Sequence, residues 1–158
     1  LKEFKENGNS FFKKGDVDSA LEKYGFAGVF LTCTALEMEE DRETFVNLTS
    51  VVLLNMTACL LRKKEFMPDG KLCTIVLDLN PTNVKALFCR ASTATELGRN
   101  DFAASDLKLD YVIDPSNQEV CKKLGETKVR ILRKMEDLSN NPKVDMRDGM
   151  LEDEPPLE

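Results

Sequence analysis

Histidine is absent from this chain of 158 residues, so the commonest general base of enzymes is missing. The same absence excludes His-dependent catalytic triads and zinc sites that contain histidine. The sequence also lacks a glycine-rich phosphate loop, an EF-hand loop and paired C-x-x-C motifs. We therefore expect a non-catalytic protein with no cofactor and no metal site.

Long apolar runs are lacking as well. We find no stretch that approaches the roughly 20 apolar residues needed to span a bilayer, and no signal peptide. The sequence therefore predicts a cytoplasmic protein without a membrane partner. Its start at a leucine rather than a methionine indicates a trimmed chain or a piece of a longer protein.

The five cysteines are an odd set without a C-x-x-C pair, which favours reduced thiols. Four of them are predicted to pack on apolar helix faces. The five are Cys33, Cys59, Cys73, Cys89 and Cys121.

The chain lacks a concentrated basic stripe, although it carries 22 basic residues against 28 acidic ones. Because phosphate backbones are bound by clustered Lys and Arg, this pattern argues against nucleic acid as a partner. Acidic residues instead cluster at Glu37–Glu43 and at the C-terminus, where a solvated surface is expected.

Two segments share nearly the same sequence pattern. Leu79-Asn80-Pro81-Thr82-Asn83 and Ile113-Asp114-Pro115-Ser116-Asn117 place their prolines 34 residues apart. A period of 34 residues is typical of the tetratricopeptide helix pair. The sequence therefore predicts a stack of helical hairpins, whose concave face suits the capture of a peptide.

The predicted fold is all-α, a right-handed α-solenoid of about seven helices. Gly15 is expected to end the first helix and Asp16 to cap the second, which is predicted to run from about Asp18 to Met38. The domain is predicted to span 1–139, with repeats at about 1–38, 44–80 and 82–114, a capping helix at 117–139 and a flexible acidic tail at 140–158.

Three motifs carry a family resemblance. They are Lys5-Glu6-Asn7-Gly8-Asn9, Leu53-Leu54-Asn55-Met56-Thr57-Ala58-Cys59-Leu60 and Lys85-Ala86-Leu87-Phe88-Cys89-Arg90-Ala91. Together they resemble the carboxylate-clamp tetratricopeptide-repeat (TPR) domains. The co-chaperone module of large FKBP-type immunophilins, especially those of plants, is the most similar, over about Lys2 to Leu138.

The resemblance implies a groove for the C-terminal Glu-Glu-Val-Asp tail of the ninety- or seventy-kilodalton heat-shock chaperones. The peptide-binding residues that it implies are Lys5, Asn9, Asn55, Lys85, Cys89 and Arg90. The residues support this independently, because Lys5 and Asn9 lie one helical turn apart and project from one face. Asn is also disfavoured inside helices, so an asparagine at each of these helical positions indicates a functional role.

One departure falls inside the clamp. The family usually carries Arg where this chain has Cys89, and Arg90 is turned about 100° around the helix from that position. We therefore expect weakened binding, and we interpret Cys89 as a small filler rather than a redox switch. Two further departures, Asp69 and Asp110, occupy positions where a small alanine normally meets a partner helix.

Three alternatives remain open. The chain is a degenerate TPR scaffold that binds another internal peptide or a helix, or it is a fragment or paralogue of an FKBP-type prolyl isomerase without the catalytic domain. The basic last helix is also a minor candidate for binding calmodulin.

Overall fold

A computed structural model describes residues 1–35 and 41–141. Within these residues the chain forms seven helices and no strand, which confirms the predicted all-α fold. In chain order they are α1 (Lys2–Lys14), α2 (Val17–Thr34), α3 (Arg42–Arg62), α4 (Phe66–Leu79), α5 (Val84–Glu96), α6 (Asn100–Ile113) and α7 (Gln118–Asn140).

The helices stack in the order of the chain. Each packs against the next, and α3 also contacts α5. The guanidinium of Arg62 on α3 lies 3.7 Å from the ring centroid of Phe12 and donates a 3.1 Å hydrogen bond to the Phe12 carbonyl. Because these contacts join α1 to α3, the first helices of the three pairs, α1, α3 and α5, lie side by side.

The repeated sequence segments form the same turn twice. Oδ1 of Asn80 accepts hydrogen bonds from the backbone N–H and the hydroxyl of Thr82. Oδ1 of Asp114 accepts the same pair from Ser116. A short side chain that bonds the backbone two residues ahead replaces a backbone turn, which explains why both segments need Asn or Asp before the proline.

Side-chain caps begin four of the helices, α2, α3, α5 and α7. In each, a carboxylate or amide oxygen accepts a backbone N–H of the first turn, as expected for good N-cap residues. The caps are Asp16, Asp41, Asn83 and Asn117. Gly15 ends α1 in the left-handed conformation with φ of 84°, so the predicted stop at Gly15 and cap at Asp16 are confirmed.

Glycine is required where α1 meets α2. A Cβ atom at the buried Gly8 would lie 2.5 Å from Cε1 of Tyr24, which is too close for any side chain. The missing side chain lets the ring of Tyr24 lie against the α1 backbone. Tyr24, Ala20 and Ala27 are buried in the core between α1, α2 and α3.

The prediction that the second helix reaches Met38 is wrong within the described residues, because α2 ends at Thr34. An acidic run is unfavourable at a helix C-terminus, where the helix dipole is negative. Glu37, Glu39 and Glu40 lie outside the described residues, and so does the predicted tail from 142 onward.

The expectation that no apolar run approaches membrane-spanning length also needs correction. Among the described residues, α3 is long and apolar enough by length and composition to cross a bilayer. In the fold, α3 lies against α2, α4 and α5, and its buried positions include Ser50 and Thr57.

Fewer cysteines are buried than predicted. Only Cys59 and Cys73 are buried, Cys89 is half-buried, and Cys33 and Cys121 are exposed. The apolar faces were recognised from the sequence, but the contacts that cover them depend on how far each helix extends past its neighbour.

Candidate peptide-binding groove

A cavity of about 370 Å³ opens between α3 and α5 and reaches the start of α7. We call it the α3–α5 groove. The residues that matter for its chemistry are Asn55, Lys85, Phe88, Cys89, Asp110 and Glu119. Three residues predicted from the sequence, Asn55, Lys85 and Cys89, therefore share one cavity.

Asn9 is joined to this groove through Asn55. The Nδ2 atom of Asn55 lies 3.5 Å from Oδ1 of Asn9, a long hydrogen bond between α3 and α1. The hydroxyl of Tyr24 donates to the same Oδ1 atom at 2.7 Å. Because both bonds hold the Asn9 oxygen, the Nδ2 group of Asn9 remains a donor for a ligand.

Asn9, Asn55 and Lys85 lie on three neighbouring helices, and we call them the donor row. The two predicted lysines differ in their relation to it. Lys5 is half-buried and lies one helical turn before Asn9 on α1, whereas Lys85 is exposed at the start of α5. Lys85 lines the α3–α5 groove together with Asn55, whereas Lys5 does not line it. The donor row supplies hydrogen-bond donors and a positive charge, the groups that bind a carboxylate.

Arg90, which the resemblance implied as a peptide-binding residue, does not line the α3–α5 groove. Its Nε and Nη2 atoms donate 2.8 Å hydrogen bonds to the two carboxylate oxygens of Asp106 on α6. Nη1 also donates to the Thr74 hydroxyl on α4. One residue of helical rotation turns Arg90 into a second groove between α4, α5 and α6.

A cation from α7 stands beside Cys89 instead. Nζ of Lys123 lies 5.0 Å from the ring centroid of Phe88, the neighbour of Cys89. The pKa of the Cys89 thiol is lowered, mainly by the Cys73 thiol and less by Thr57 and the charge of Lys123, while burial and the charge of Asp69 act in the opposite direction. Lys123 does not line the groove itself, but its charge lies close to Phe88, which does.

Two acidic residues oppose this charge. Glu119 lines the groove at the start of α7, and Asp110 lines it with only 1% of its surface exposed. No described group donates a hydrogen bond to the buried Oδ1 atom of Asp110. Burial, with the negative charge of Asp114, raises the pKa of the Asp110 carboxyl. Asp110 thus holds a buried carboxyl oxygen without a hydrogen bond at a position where an alanine would normally pack.

Asp69 is also more deeply placed than an ordinary first-turn carboxylate. It is fully buried, and its Oδ2 atom accepts a short hydrogen bond from the hydroxyl of Thr93 on α5. Burial raises the pKa of the Asp69 carboxyl, although the Thr93 bond acts in the opposite direction. The side chain therefore joins α4 to α5 through a polar contact where an alanine would make an apolar one.

Two residues of the site were not identified as such from the sequence. The hydroxyl bond of Tyr24 to Asn9 depends on how α1 lies across α2. Lys123 belongs to the basic last helix, which the sequence marked only as a minor candidate for binding calmodulin. Its position near Phe88 depends on how α7 folds back on α6, which sequence spacing alone does not determine.

Comparisons with known proteins support the fold class. No protein-family model matches the chain. Protein unc-45 homolog B of Danio rerio is 28% identical over 158 residues, covering 99% of this chain and 16% of that protein. Peptidyl-prolyl cis-trans isomerase FKBP42 of Arabidopsis thaliana is 27% identical over 122 residues, covering 76% of this chain and 33% of that protein. The chain thus spans a third or less of either relative.

A solved structure shows the same architecture. The first TPR domain of Spaghetti (RPAP3), bound to the HSP90 peptide SRMEEVD, superposes with a TM-score of 0.65 at 24% identity, covering 82% of this chain and 90% of that one. The stacked helix pairs and this likeness define the fold: the described part of the chain has the TPR fold. Its relatives include FKBP-type immunophilins, as the three sequence motifs suggested.

Proposed function

We propose that the α3–α5 groove binds the C-terminal acidic peptide of a heat-shock chaperone, of the Glu-Glu-Val-Asp type. The observation that carries the proposal is the row formed by Asn9, Asn55 and Lys85 on three neighbouring helices. Amide and ammonium donors from separate helices converge there on a space that a carboxylate can enter. The HSP90 peptide bound by the similar RPAP3 domain supports this choice of ligand.

Each donor has a separate task in this proposal. Lys5, Asn9 and Asn55 face the terminal carboxylate, while Lys85 faces the side-chain carboxylate of the terminal aspartate. Hydrogen bonds to charged groups contribute about 1.5–3 kcal/mol each. Loss of one such donor therefore weakens binding by about 10- to 100-fold.

The clamp is incomplete, and the proposed affinity is correspondingly low. Cys89 offers no bidentate guanidinium, and Lys123 supplies only a point charge nearby. Asp110 and Glu119 add negative charge on the same side of the groove. An anionic peptide is therefore attracted by one end of the groove more than by the other.

The proposal is tested by titrating the chain with the heptapeptide SRMEEVD and with its C-terminally amidated form. We expect the free acid to bind and amidation to reduce the affinity at least about tenfold, because the terminal carboxylate is the proposed anchor. Asn55→Ala and Lys85→Ala should weaken the acid form in the same way. Equal binding of the two peptides would contradict the proposal.

Lys71→Ala is the matched control for Lys85→Ala, because Lys71 lies in the second groove beside Arg90. It removes the same charge from the chain without touching the α3–α5 groove, so the peptide affinity should stay unchanged. Cys89→Arg tests the incomplete clamp and should tighten binding of the acid form. An equal loss in both lysine variants would indicate a general charge effect rather than a site.

A second candidate is the capture of an internal peptide or a helix by the same groove. The buried Asp110 carboxylate favours it, because an acid in the groove suits a ligand that brings an amide or a cation. The amidated peptide then binds as well as the acid. In either case we propose a non-catalytic interaction module, located in the cytoplasm, and expect no prolyl-isomerase turnover from this chain.

A further inference from the structure

The second groove, between α4, α5 and α6, has a wall of exposed apolar side chains. Its volume is about 730 Å³, against about 370 Å³ for the α3–α5 groove. Four large apolar residues of its lining are exposed, and Phe102 is the most exposed of them at 70%. The other three are Met67, Ile75 and Leu97. Because these side chains face one cavity rather than standing singly on the surface, they indicate a docking surface.

The charge of the second groove is opposite in sign to that of the chain. Arg90 is neutralised there by its two hydrogen bonds to Asp106. Lys71 and Arg99 also line the groove, and neither forms an ion pair within residues 1–35 and 41–141. The groove therefore presents two positive charges beside an apolar wall, in a chain of net charge −6. A ligand with apolar side chains followed by carboxylates would complement it.

The chain itself contains a segment of this composition. Met150-Leu151 is followed directly by Glu152-Asp153-Glu154. Two large apolar side chains thus precede three successive carboxylates. The apolar part matches the exposed wall of the second groove, and the acidic part matches its two unpaired cations.

The end of α7 brings this segment within reach of the second groove. Val120 at the start of α7 belongs to the core formed with α5 and α6, and Ile131, three turns later, packs against the same core. Helix α7 thus folds back along α6 toward the α5–α6 turn, close to which Phe102 lies. From Ile131 it continues for about 14 Å to Asn140. The roughly ten residues before Met150 span up to about 33 Å when extended, which is enough to return to the groove.

We propose that the segment Met150-Leu151-Glu152-Asp153-Glu154 binds the second groove of the same chain. Its two apolar side chains contact Met67 and Phe102, and its carboxylates lie beside Lys71 and Arg99. Because the segment is tethered to α7, its effective concentration at the groove is of millimolar order, so that individually weak contacts suffice. This inference does not depend on the function proposed for the α3–α5 groove.

The contact is tested by NMR on the full chain, labelled with ¹³C at the methionine methyl groups. Met67 lines the groove and Met150 belongs to the segment, so each partner carries its own probe. We expect the ring of Phe102 to shift the Met150 methyl resonance, and Phe102→Ala should return it to the position of a solvated methionine. Leu151→Ser should in turn move the Met67 resonance. The exposed Met135 on α7 does not line the groove, and its resonance should stay in place in both variants.

Matched controls separate the groove from the rest of α6. Val112 is 74% exposed on the same helix as Phe102 but does not line the groove, so Val112→Ala should leave the Met150 resonance unchanged. Helical circular dichroism of Phe102→Ala checks that loss of this exposed ring leaves the fold intact.

The charged part of the contact is tested separately. Lys71→Gln and Arg99→Gln should each weaken docking about two- to fivefold, which appears as a partial return of the Met150 resonance. Lys108→Gln is the control, because Lys108 is exposed on α6 outside the groove.

Three results would overturn the proposal. A Met150 resonance that does not move in Phe102→Ala would leave the second groove to a partner protein. Shifts that grow with protein concentration would assign the groove to the segment of a second copy. Tighter binding of SRMEEVD by Leu151→Ser than by the parent chain would place the segment in the α3–α5 groove instead.

The same titration keeps this inference apart from the proposed function. If SRMEEVD binds neither the parent chain nor Leu151→Ser, the proposed function fails. The response of the Met150 resonance to Phe102→Ala still decides whether the segment occupies the second groove.

Discussion

The hydroxyl of Tyr24 on α2 donates a 2.7 Å hydrogen bond to Oδ1 of Asn9 on α1. The same oxygen accepts the long bond from Asn55 on α3, so one amide oxygen joins three helices. This contact links the packing of the first helix pair to the orientation of a proposed binding residue. We therefore expect changes at Tyr24 to alter peptide binding without touching the groove.

Removal of the Tyr24 hydroxyl tests this link. Tyr24→Phe keeps the ring in the core and loses the bond that orients Asn9, so the acidic peptide should bind about fivefold more weakly, the effect of roughly 1 kcal/mol. Titration with SRMEEVD measures the change. Tyr111→Phe is the control, because Tyr111 is 44% exposed on α6. Unchanged affinity in Tyr24→Phe would show that Asn9 is oriented by other contacts.

Gly8→Ala should destabilise the fold although alanine favours helices. The new Cβ would lie 2.5 Å from the Tyr24 ring, and the resulting strain outweighs the gain in helix propensity by about 1–2 kcal/mol. Gly125→Ala is the opposite control, because nothing lies within 4 Å of a Cβ there and α7 should gain stability. Urea unfolding of both variants measures the difference. Equal stabilisation by both variants would mean that α2 shifts away from α1 at little cost and makes room for the new Cβ atom.

Asp110→Asn should stabilise the chain at neutral pH by about 1–3 kcal/mol, because it removes a buried charge without a hydrogen-bond donor. The raised pKa means that the folded state holds this proton more tightly than the unfolded state does. Stability therefore falls as pH rises above the ordinary value of 3.8 toward the raised one, and is greatest below that window.

The pH series that tests Asp110 is a set of urea unfolding curves from about pH 4 to pH 7. Asp110→Asn should flatten the fall in stability across this range, although the buried Asp69 contributes a fall of the same sign. Glu126→Gln on the exposed side of α7 is the control and should leave the slope in place. A steeper slope in Asp110→Asn would contradict the assignment.

The Asp69–Thr93 bond can be isolated by a double-mutant cycle. Thr93→Val leaves the buried carboxylate without its donor and should cost about 1–3 kcal/mol. In an Asp69→Ala background the same change should cost much less, since no acid remains to be satisfied. Thr95→Val, whose hydroxyl bonds only to its own helix, controls for the change of side chain. Equal costs in both backgrounds would mean that the two side chains are not coupled.

The sequence predicted the fold because its signals are local. Gly15 with Asp16, and the asparagines that cap α5 and α7, act within one or two turns of chain, and the 34-residue repeat is read directly from the sequence. The end of α2 was misjudged because a mostly apolar pattern continues past the last helical residue. Element order and hairpin pairing follow from such signals, whereas exact ends depend on tertiary contacts.

The candidate site was predictable only in part. Asn55, Lys85 and Cys89 were found by motif, and they share the groove. Arg90 was misplaced because its direction is decided by Asp106, sixteen residues later on another helix. Likewise, Lys123 comes close to Phe88 only when α7 packs against the helices before it, so no local sequence pattern predicts this contact.

The matched turns at Asn80-Pro81 and Asp114-Pro115 make the two junctions interchangeable. Each turn is held by hydrogen bonds between its own residues, and the asparagine that follows it caps the next helix. Neither turn therefore depends on which helices follow. A copy of residues 82–115 inserted after Pro115 would thus be connected to the chain by the same kind of turn at both of its ends. The repeated turn is thus a connection through which the solenoid can be lengthened by one helix pair at a time.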